Sequence, residues 1–410
     1  MLSAREQLDI LKSGTEEIVP EKELLQKLER SVATGTPLRV KQGFDPTAPD
    51  IHLGHAVGLR KLRQFQELGH TIVLIVGNYT ALVGDPSGRS ATRPRLSHAD
   101  IEANAATYLE QFFRVLDRQR VEVVRNGDWF GPMTFEKVMD LAASFTIARL
   151  LERDDFEKRF REQRPISLHE LFYPIMQGYD SVIVRSDVEI GATEQKFNLL
   201  VGRQLQVDAG QEPQVIMTLP ILVGVDGVNR MSKSLGNYVG ISEAPSAMFG
   251  KIMSIPDDRL LHYYELATPI RPDALAEVRR RLASREAHPR ALKAELGEAI
   301  VSLYHSPEAA RAARDEFDRV FRDGGLPDEI PSLHLAAPEG DIWIVQLLSD
   351  AGLAPTRSEA RRLIRQGAVT VDDAVVTDES ARIPLDEASG RLVRVGKRRF
   401  ARLFRSPESA

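Results

Sequence analysis

The sequence contains no cysteine among its 410 residues. This absence excludes a disulfide-bonded scaffold, a metal site built from thiolates and a mechanism that uses a thiol nucleophile. The chain also has no apolar stretch near the roughly 18 residues that suggest a membrane-spanning helix, and its N-terminal segment lacks the apolar region of a signal peptide. We therefore expect a cytoplasmic protein held together by its hydrophobic cores.

A strong charge of one sign is also absent. Lys and Arg number 54 and Asp and Glu number 59, which gives a formal net charge of −5. From residue 341 onward, 12 basic side chains face 10 acidic ones, so a weakly basic C-terminal segment follows an acidic body.

Apolar segments alternate with helical patterns in the first half of the chain. "RVKQGF" precedes the helical pattern "LGHAVGLRKLRQFQELG", and the continuous apolar run "TIVLIVG" follows it. "VEVVRN" and "PQVIMTLPILVG" extend the alternation. This pattern is typical of α/β proteins with a parallel sheet covered by helices on both faces. We predict a Rossmann-like domain at residues 1–225.

The remaining sequence predicts further units. Residues 226–241 are interpreted as a mobile loop, and the helical spacing in 242–323 predicts an α-helical domain. The Gly- and Pro-rich stretch 324–340 is typical of a linker. Residues 341–405 are predicted to form a small α+β module.

Two polar segments stand where a phosphate site is expected. "HLGH" places His52 and His55 at the start of a helix that follows a strand, where free backbone N–H groups favour an anion. "VDGVNRMSKSLGN" carries Arg230 and Lys233 and suits a cationic clamp on a polyphosphate. Taken singly, the histidines could be helix-capping residues and the second segment a solvated loop; together they favour a nucleotide site.

These segments resemble the two signatures of the class I aminoacyl-tRNA synthetases. The stretches "GFDPTAPDIHLGH", "GDPSGRSATR", "LFYPIMQGYDS" and "GATEQKFNLL" are similar, in order and spacing, to the tyrosyl-tRNA synthetase family over essentially the whole chain. The resemblance implies activation of L-tyrosine by ATP with Mg²⁺, transfer of the tyrosyl group to the terminal adenosine of tRNA(Tyr), and a homodimer.

The resemblance also implies residue roles for ATP. His52 and His55 would contact the phosphates in the transition state, Thr47 and Lys233 the departing pyrophosphate, and Arg89 and Arg93 would be supporting cations. Arg230 is assigned to the catalytic set. The further ATP-binding candidates are Gly43, Asp45, Gly54, Gly191, Glu194, Met231, Ser232 and Ser234.

Tyr173, Gln177 and Asp180 fall at i, i+4 and i+7, on one face of a predicted helix. Such a stripe alone could be a polar helix surface. The resemblance implies that Tyr173, Gln177 and Asp85 hold the substrate ammonium group, and that Asp180 accepts the phenolic hydrogen. The complete set of tyrosine-binding candidates is Lys41, Thr80, Asp85, Tyr173, Gln177, Asp180 and Gln195.

Four positions depart from the common family pattern. Ala192 stands where the second residue of a glycine pair is common. Arg230 stands where many members have lysine, Glu194 where an aspartate usually contacts the ribose, and Lys41 where a tyrosine often reads the substrate phenol. Arg preserves the charge of Lys but not its compact ammonium group.

The C-terminal module resembles a small RNA-binding module of a ribosomal protein. Arg357, Arg361 and Arg365 share one helical face, which suits an RNA backbone, although such a face could also be simply solvated. Two alternatives to the main interpretation remain. A tryptophanyl enzyme is disfavoured by Asp180 and the RNA-binding module, and a non-catalytic RNA-binding relative is disfavoured by "HLGH", Lys233 and Asp180.

Overall fold

The computed structural model describes residues 2–47, 50–85, 97–284, 286–321, 326, 330–337, 340–396 and 399–406. The chain divides into two compact units, Met1–Ala310 and Arg311–Ala410. The predicted fold class is confirmed: a parallel sheet flanked by helices is followed by further helices and by a small α+β unit. The predicted domain bounds stay predictions.

The first unit is built around a sheet with the strand order β1-β6-β5-β2-β3-β4. The strands are β1 (Glu17–Val19), β2 (Arg39–Phe44), β3 (Thr71–Val76), β4 (Val121–Arg125), β5 (Val188–Ala192) and β6 (Val215–Leu219). Strands β2 to β6 pair in parallel, and β1 is antiparallel to β6. β1 was not predicted, because a strand of three residues is too short to show an alternation of apolar and polar side chains.

Helices cover this sheet and continue beyond it. They are α1 (Ala4–Lys12), α2 (Glu21–Thr34), α3 (Leu53–Glu67), α4 (His98–Phe112), α5 (Gly127–Phe130), α6 (Phe135–Ala143), α7 (Ile147–Leu150), α8 (Asp154–Arg161), α9 (Leu168–Val184), α10 (Lys196–Asp208), α11 (Pro245–Met253), α12 (Leu260–Ala267), α13 (Pro272–Ala283), α14 (Pro289–Tyr304) and α15 (Pro307–Phe321). None of the described helices is both long and apolar enough to cross a membrane.

The strand order determines where a crevice opens at the carboxyl ends of the strands. Strand β2 pairs with β3 on one side and with β5 on the other. The connections from β2 to β3 and from β5 to β6 therefore run away from each other, which opens a crevice at the carboxyl ends of β2 and β5. Buried residues such as Val40, Ile72 and Leu74 hold this part of the sheet in the core.

The second unit has its own hydrophobic core and a different architecture. Its strands are β7 (Ser332–Leu335), β8 (Asp341–Trp343), β9 (Val369–Val371), β10 (Ala374–Val375), β11 (Arg382–Pro384), β12 (Arg391–Val395) and β13 (Arg399–Arg405), and its further helices are α16 (Ile344–Asp350) and α17 (Arg357–Arg365). One sheet has the order β10-β9-β12-β13-β7, and β11 pairs with β8. The stretch predicted as a linker thus contains β7, which lies parallel to β13.

Candidate active site

The first signature lies at the carboxyl end of β2, where α3 begins. His52 precedes α3, and the rings of His52 and His55 stack with their centroids 3.8 Å apart. Gly54 allows this arrangement, because a Cβ atom there would lie 3.0 Å from the His52 ring. The Nδ1 atom of His52 is buried and has no hydrogen-bond partner in the described part of the chain.

Both histidines are held in the neutral form. Burial is the largest cause of a pKa of His52 lowered to about 2, and His55 and Lys233 contribute smaller effects in the same direction. Burial also lowers the pKa of His55 to about 4, with a smaller effect from Lys233. At neutral pH the pair can therefore offer imidazole N–H donors to a phosphate without carrying a charge.

The second signature, which we call the signature loop (residues 226–241), packs against the first. The backbone N–H of Leu53 donates to Val239 O at 2.9 Å, and that of Ile241 donates to Ile51 O at 3.1 Å. The buried side chain of Asn237 braces the loop, since its Nδ2 donates to Arg230 O at 3.1 Å. The two signatures thus form one surface.

Two ion pairs join the signature loop to the rest of the unit. The Lys233 Nζ lies 3.3 Å from an Asp50 carboxylate oxygen, and an Arg230 guanidinium nitrogen lies 3.2 Å from a Glu194 oxygen. Arg230 and Glu194 are two of the positions that depart from the family pattern, and the structure pairs them. Both pairs are partly exposed, so incoming phosphate or ribose oxygens can compete for them.

A second polar cluster lies beside the signatures, around Asp180 of α9. The Asp180 side chain is 3% exposed. Trp129 Nε1 donates to Asp180 Oδ1 at 3.0 Å, and Asn126 Nδ2 donates to Asp180 Oδ2 at 3.4 Å. Burial raises the pKa of Asp180 to about 7, although Lys41 and the hydrogen bonds from Trp129 and Asn126 oppose this change.

Asp45 links this cluster to the end of β2. Its two carboxylate oxygens accept hydrogen bonds from Thr80 Oγ1 at 2.7 Å and from the Tyr173 hydroxyl at 2.9 Å. The approach needs Gly77, because a Cβ atom there would lie 2.2 Å from Asp45 Oδ1. Asn126 Nδ2 also donates to Thr80 Oγ1 at 3.0 Å, so these candidates form one connected network with Asp180.

The other tyrosine-binding candidates adjoin this network. Gln195 Nε2 donates to Asp85 at 3.1 Å. Gln177 is partly exposed on the same helix as Tyr173 and Asp180. Lys41 is fully buried, and its ammonium group lies 2.8 Å from Gln177 O, 2.7 Å from Ser181 Oγ and 2.9 Å from Glu189 Oε1. Protein acceptors thus take all three of its hydrogens, and none is left for a substrate.

The remaining candidates fall into three groups. Gly43 lies in β2, Thr47 lies beyond its carboxyl end, and Gly191 lies in β5. Met231 is buried, while Ser232 and Ser234 lie with their hydroxyl oxygens 2.9 Å apart. The predicted supporting cations Arg89 and Arg93 lie outside the described residues.

The sequence did not identify Asn126, Trp129 or Glu189 as site residues. Asn126 and Trp129 come directly after β4, the outermost strand of the sheet. Their place after the carboxyl end of a parallel strand was the signal by which the sequence could have identified them. Glu189 lies inside an apolar strand. Because a buried charge requires a partner of opposite charge or hydrogen-bond donors, an acidic residue there was a signal for a buried polar partner.

In the second unit, α17 presents the predicted arginine face. Its apolar side, with Ala360, Leu363 and Ile364, is buried, while Arg357, Arg361 and Arg365 are exposed. Glu379 lies 2.6 Å from Arg365 and 3.8 Å from Arg361. An RNA phosphate would therefore compete with this carboxylate for two of the three arginines.

Known proteins share both units. A family model described as tRNA synthetases class I (W and Y) matches residues 33–322, and an S4 domain model matches residues 342–387. A tyrosine–tRNA ligase of Moorella thermoacetica is 56% identical over 97% of this chain and 95% of its own length. A tyrosine–tRNA ligase of Geobacter sulfurreducens is 49% identical over 98% of this chain and 99% of its own length.

A solved structure supports the fold. The crystal structure of a tyrosyl-tRNA synthetase from Archaeoglobus fulgidus, complexed with L-tyrosine, aligns with a TM-score of 0.63 over 76% of this chain and all of its own. Its 24% sequence identity supports the architecture alone. From the family models and the full-length relatives, the chain belongs to the tyrosyl-tRNA synthetases of class I, with an S4 domain at its C-terminal side.

Proposed function

We propose that this chain activates L-tyrosine with ATP to give tyrosyl-adenylate and pyrophosphate, and then transfers the tyrosyl group to the 3′-terminal adenosine of tRNA(Tyr). The observation that carries the substrate assignment is Asp180, a buried carboxylate with two protein donors and capacity for a third. A phenol hydroxyl supplies such a donor. The full-length tyrosine–tRNA ligase relatives support the same assignment.

In the first step, a tyrosine carboxylate oxygen attacks the α-phosphorus of ATP, and the bond from that phosphorus to the bridging oxygen of pyrophosphate breaks. The protein needs no covalent nucleophile for this step; it positions the reactants and stabilises the charge that develops on the phosphates. The neutral His52 and His55 donate hydrogen bonds to phosphate oxygens. Lys233 leaves Asp50 and neutralises the departing pyrophosphate, with Arg230 and Thr47 beside it.

Magnesium is proposed to accompany ATP, bound to its phosphates. In the part of the chain that the structure describes, no group of three or more His, Asp and Glu side chains offers a metal site. The phosphate oxygens of ATP are the ligands that Mg²⁺ commonly keeps in such enzymes, where the ion neutralises phosphate charge. We also retain the cytoplasmic location as a prediction from the sequence.

Exchange of pyrophosphate into ATP tests the proposal, with each of the twenty amino acids offered in turn. We expect exchange with tyrosine and not with tryptophan. Exchange that depends on tryptophan would favour the tryptophanyl alternative. An absence of exchange with every amino acid would favour the non-catalytic alternative.

A homodimer is also proposed, from apolar side chains on α6 to α9. The large apolar side chains exposed there are Phe135, Met139, Ile147, Phe160, Leu168 and Ile183, and Phe135 is 78% exposed. Large exposed apolar surfaces are uncommon on monomers and mark interaction sites. We propose that a second copy of the chain covers these apolar side chains.

The mass in solution tests the homodimer. Sedimentation of the unmodified chain should give twice the chain mass, and Phe135→Glu should lower the dimer affinity by at least about tenfold, because it places a charge in an apolar interface. Val207→Glu, on the exposed side of α10, is the matched control and should leave the mass unchanged. A monomeric unmodified chain would contradict the proposal.

A further inference from the structure

Lys41 and Glu189 form a buried ion pair beneath the amino-acid site. They are register partners on the parallel strands β2 and β5, and their charged atoms lie 2.9 Å apart. Their side chains are 0% and 1% exposed. Burying two charges costs free energy that mutual attraction seldom exceeds, so such a pair is weak evidence for stability and suggests another role.

Protein groups satisfy both partners of the pair. Gln177 Nε2 donates to Glu189 Oε1 at 3.1 Å, Ser181 Oγ donates to Oε2 at 3.0 Å, and Gln214 Nε2 also donates to Oε2. The network can approach α10 because residue 202 is glycine; a Cβ atom there would lie 2.7 Å from Gln214 Nε2. The Glu189 carboxylate is therefore held at a defined position under α9.

This arrangement sets the orientation of the Gln177 amide. A carboxylate can only accept hydrogen bonds, so Glu189 requires the NH₂ end of Gln177 to face it. At the other end, Asn198 Nδ2 donates to Gln177 Oε1 at 2.9 Å. Asn198 is itself oriented, because Arg153 donates to its Oδ1 at 3.3 Å and a guanidinium group cannot accept. A reversed Gln177 amide would place oxygen against the Glu189 carboxylate and NH₂ against Asn198 NH₂.

We propose that the Lys41–Glu189 pair is a positioning device for the α-ammonium group of the substrate: it fixes the Gln177 amide so that its oxygen accepts a hydrogen bond from that group. The inference rests on the proposed function. Gln177 Oε1 keeps a second lone pair after Asn198 has donated to it, and the residue is partly exposed beside Tyr173 and Asp180. Lys41 thus acts through Glu189 and Gln177 and is not in contact with the phenol.

The test replaces the whole pair by apolar residues of similar size, as Lys41→Met with Glu189→Leu. Removing both charges avoids an unpaired buried charge. It also limits the effect on Asp180, because Lys41 lowers the pKa of that carboxyl group and Glu189 raises it. Calorimetry measures the dissociation constants of L-tyrosine and of 3-(4-hydroxyphenyl)propionate, which keeps the phenol and the carboxylate but lacks the ammonium group.

We expect the double variant to bind L-tyrosine about tenfold more weakly, the size of one lost hydrogen bond, and to bind the propionate within about threefold of the unmodified protein. Arg159→Met with Glu170→Leu is the matched control, because that pair is buried to a similar degree, at 2% exposure each, and Glu170 lies seven residues before Gln177 on α9. The control should leave the ratio of the two dissociation constants unchanged.

Equal weakening of both ligands, or no weakening of either, would overturn the inference. If the double variant does not fold, Asn198→Leu removes the other anchor of Gln177 and must move the ratio in the same direction; an unchanged ratio would overturn the inference as well. Failure of the proposed function is distinguishable, because the unmodified chain would then not bind L-tyrosine.

Discussion

At the residue scale, Asp180 combines burial with an incomplete set of donors. Its carboxylate accepts hydrogen bonds from Asn126 and Trp129, and neither donor carries a charge. Desolvation therefore outweighs these bonds and raises its pKa. A substrate hydroxyl adds a third donor to a carboxylate that has little access to water, which makes the contact strong and selective.

We predict that Asp180→Ala lowers kcat/KM for tyrosine by at least about 100-fold. The change removes a charge-assisted hydrogen bond worth about 3 kcal/mol. Steady-state exchange of pyrophosphate into ATP measures it. Phenylalanine lacks the hydroxyl group and should lose much less; an unchanged preference for tyrosine over phenylalanine in the folded variant would contradict the role of Asp180.

The same residue predicts a pH dependence. With a pKa of about 7, Asp180 loses its charge as the pH falls below neutrality. We expect kcat/KM for tyrosine to fall below about pH 7, approaching tenfold per pH unit, because kcat/KM reports the ionisation of the free enzyme. His52 and His55 stay neutral in this range, since their pKa values are about 2 and 4.

Two comparisons isolate the contribution of Asp180 to that profile. The profile for phenylalanine should lack the decline, since phenylalanine donates no hydrogen bond to the carboxylate. The Asp180→Ala variant should lack it for tyrosine as well. A decline that persists in the variant would assign the titration to another group.

At the scale of elements, the signature loop joins the start of α3 and the segment before it through backbone hydrogen bonds to Leu53 and Ile51 and through the ion pair between Lys233 and Asp50. We predict that Lys233→Ala lowers kcat for adenylate formation by about 100-fold or more and changes the tyrosine dissociation constant less than about twofold. In the proposed function Lys233 meets the phosphates mainly in the transition state, so we expect its loss to affect the rate rather than ground-state binding. Single-turnover kinetics and equilibrium binding measure the two quantities.

Lys12 offers a matched control for that change. It is an exposed lysine of α1 whose ammonium group pairs with Glu21 at 2.6 Å, outside the signature loop. Lys12→Ala should leave the rate of adenylate formation within about threefold of the unmodified value. A tyrosine dissociation constant that weakens as much as the rate in Lys233→Ala would show that Lys233 supports the pocket instead.

Sequence patterns predicted the elements that carry strong periodicity. β2, α3 and β3 were recognised because a strand-like segment, the helical spacing of apolar residues and a continuous apolar run can each be seen within a short stretch of sequence. β7 was not, because its four residues lie in a Gly- and Pro-rich stretch and pair with residues of β13 that lie seventy positions later in the sequence. Such pairing is a tertiary effect that local pattern does not encode.

The same limit applies to the site. The histidine pair and Asp180 were predicted from local motifs and resemblance. The structure packs the segment with the histidines against the signature loop, and it links Asp180 to Asp45, beyond the end of β2, through Asn126 and Thr80. The pairings Arg230–Glu194 and Lys41–Glu189 were not predicted, since each joins residues far apart in the sequence. In both pairs, a residue that departs from the family pattern forms an ion pair with a residue that is distant in the sequence and close only in the folded chain.

At the scale of the whole molecule, each of the two units has its own buried residues. The first unit contains the predicted ATP and tyrosine residues that the structure describes, and the second contains the arginine face of α17. The core of the second unit includes Leu335, Ile344, Leu363, Val393 and Leu403, all beyond the end of α15. A chain that ends after α15 therefore loses this core as a whole and keeps every element of the first unit.

We predict that a chain ending at residue 321 keeps tyrosine-dependent pyrophosphate exchange within about threefold but loses at least about tenfold in kcat/KM for tRNA charging. In the proposed function, activation uses groups of the first unit, whereas Arg357, Arg361 and Arg365 are proposed to neutralise RNA phosphates, which would release counterions. The charging rate of the shortened chain should also depend less steeply on salt concentration, because fewer phosphate contacts remain. Parallel exchange and charging assays at several salt concentrations measure both effects. Equal loss of the two activities would assign the second unit a role in folding of the first, and undiminished charging would remove the arginine face from RNA binding.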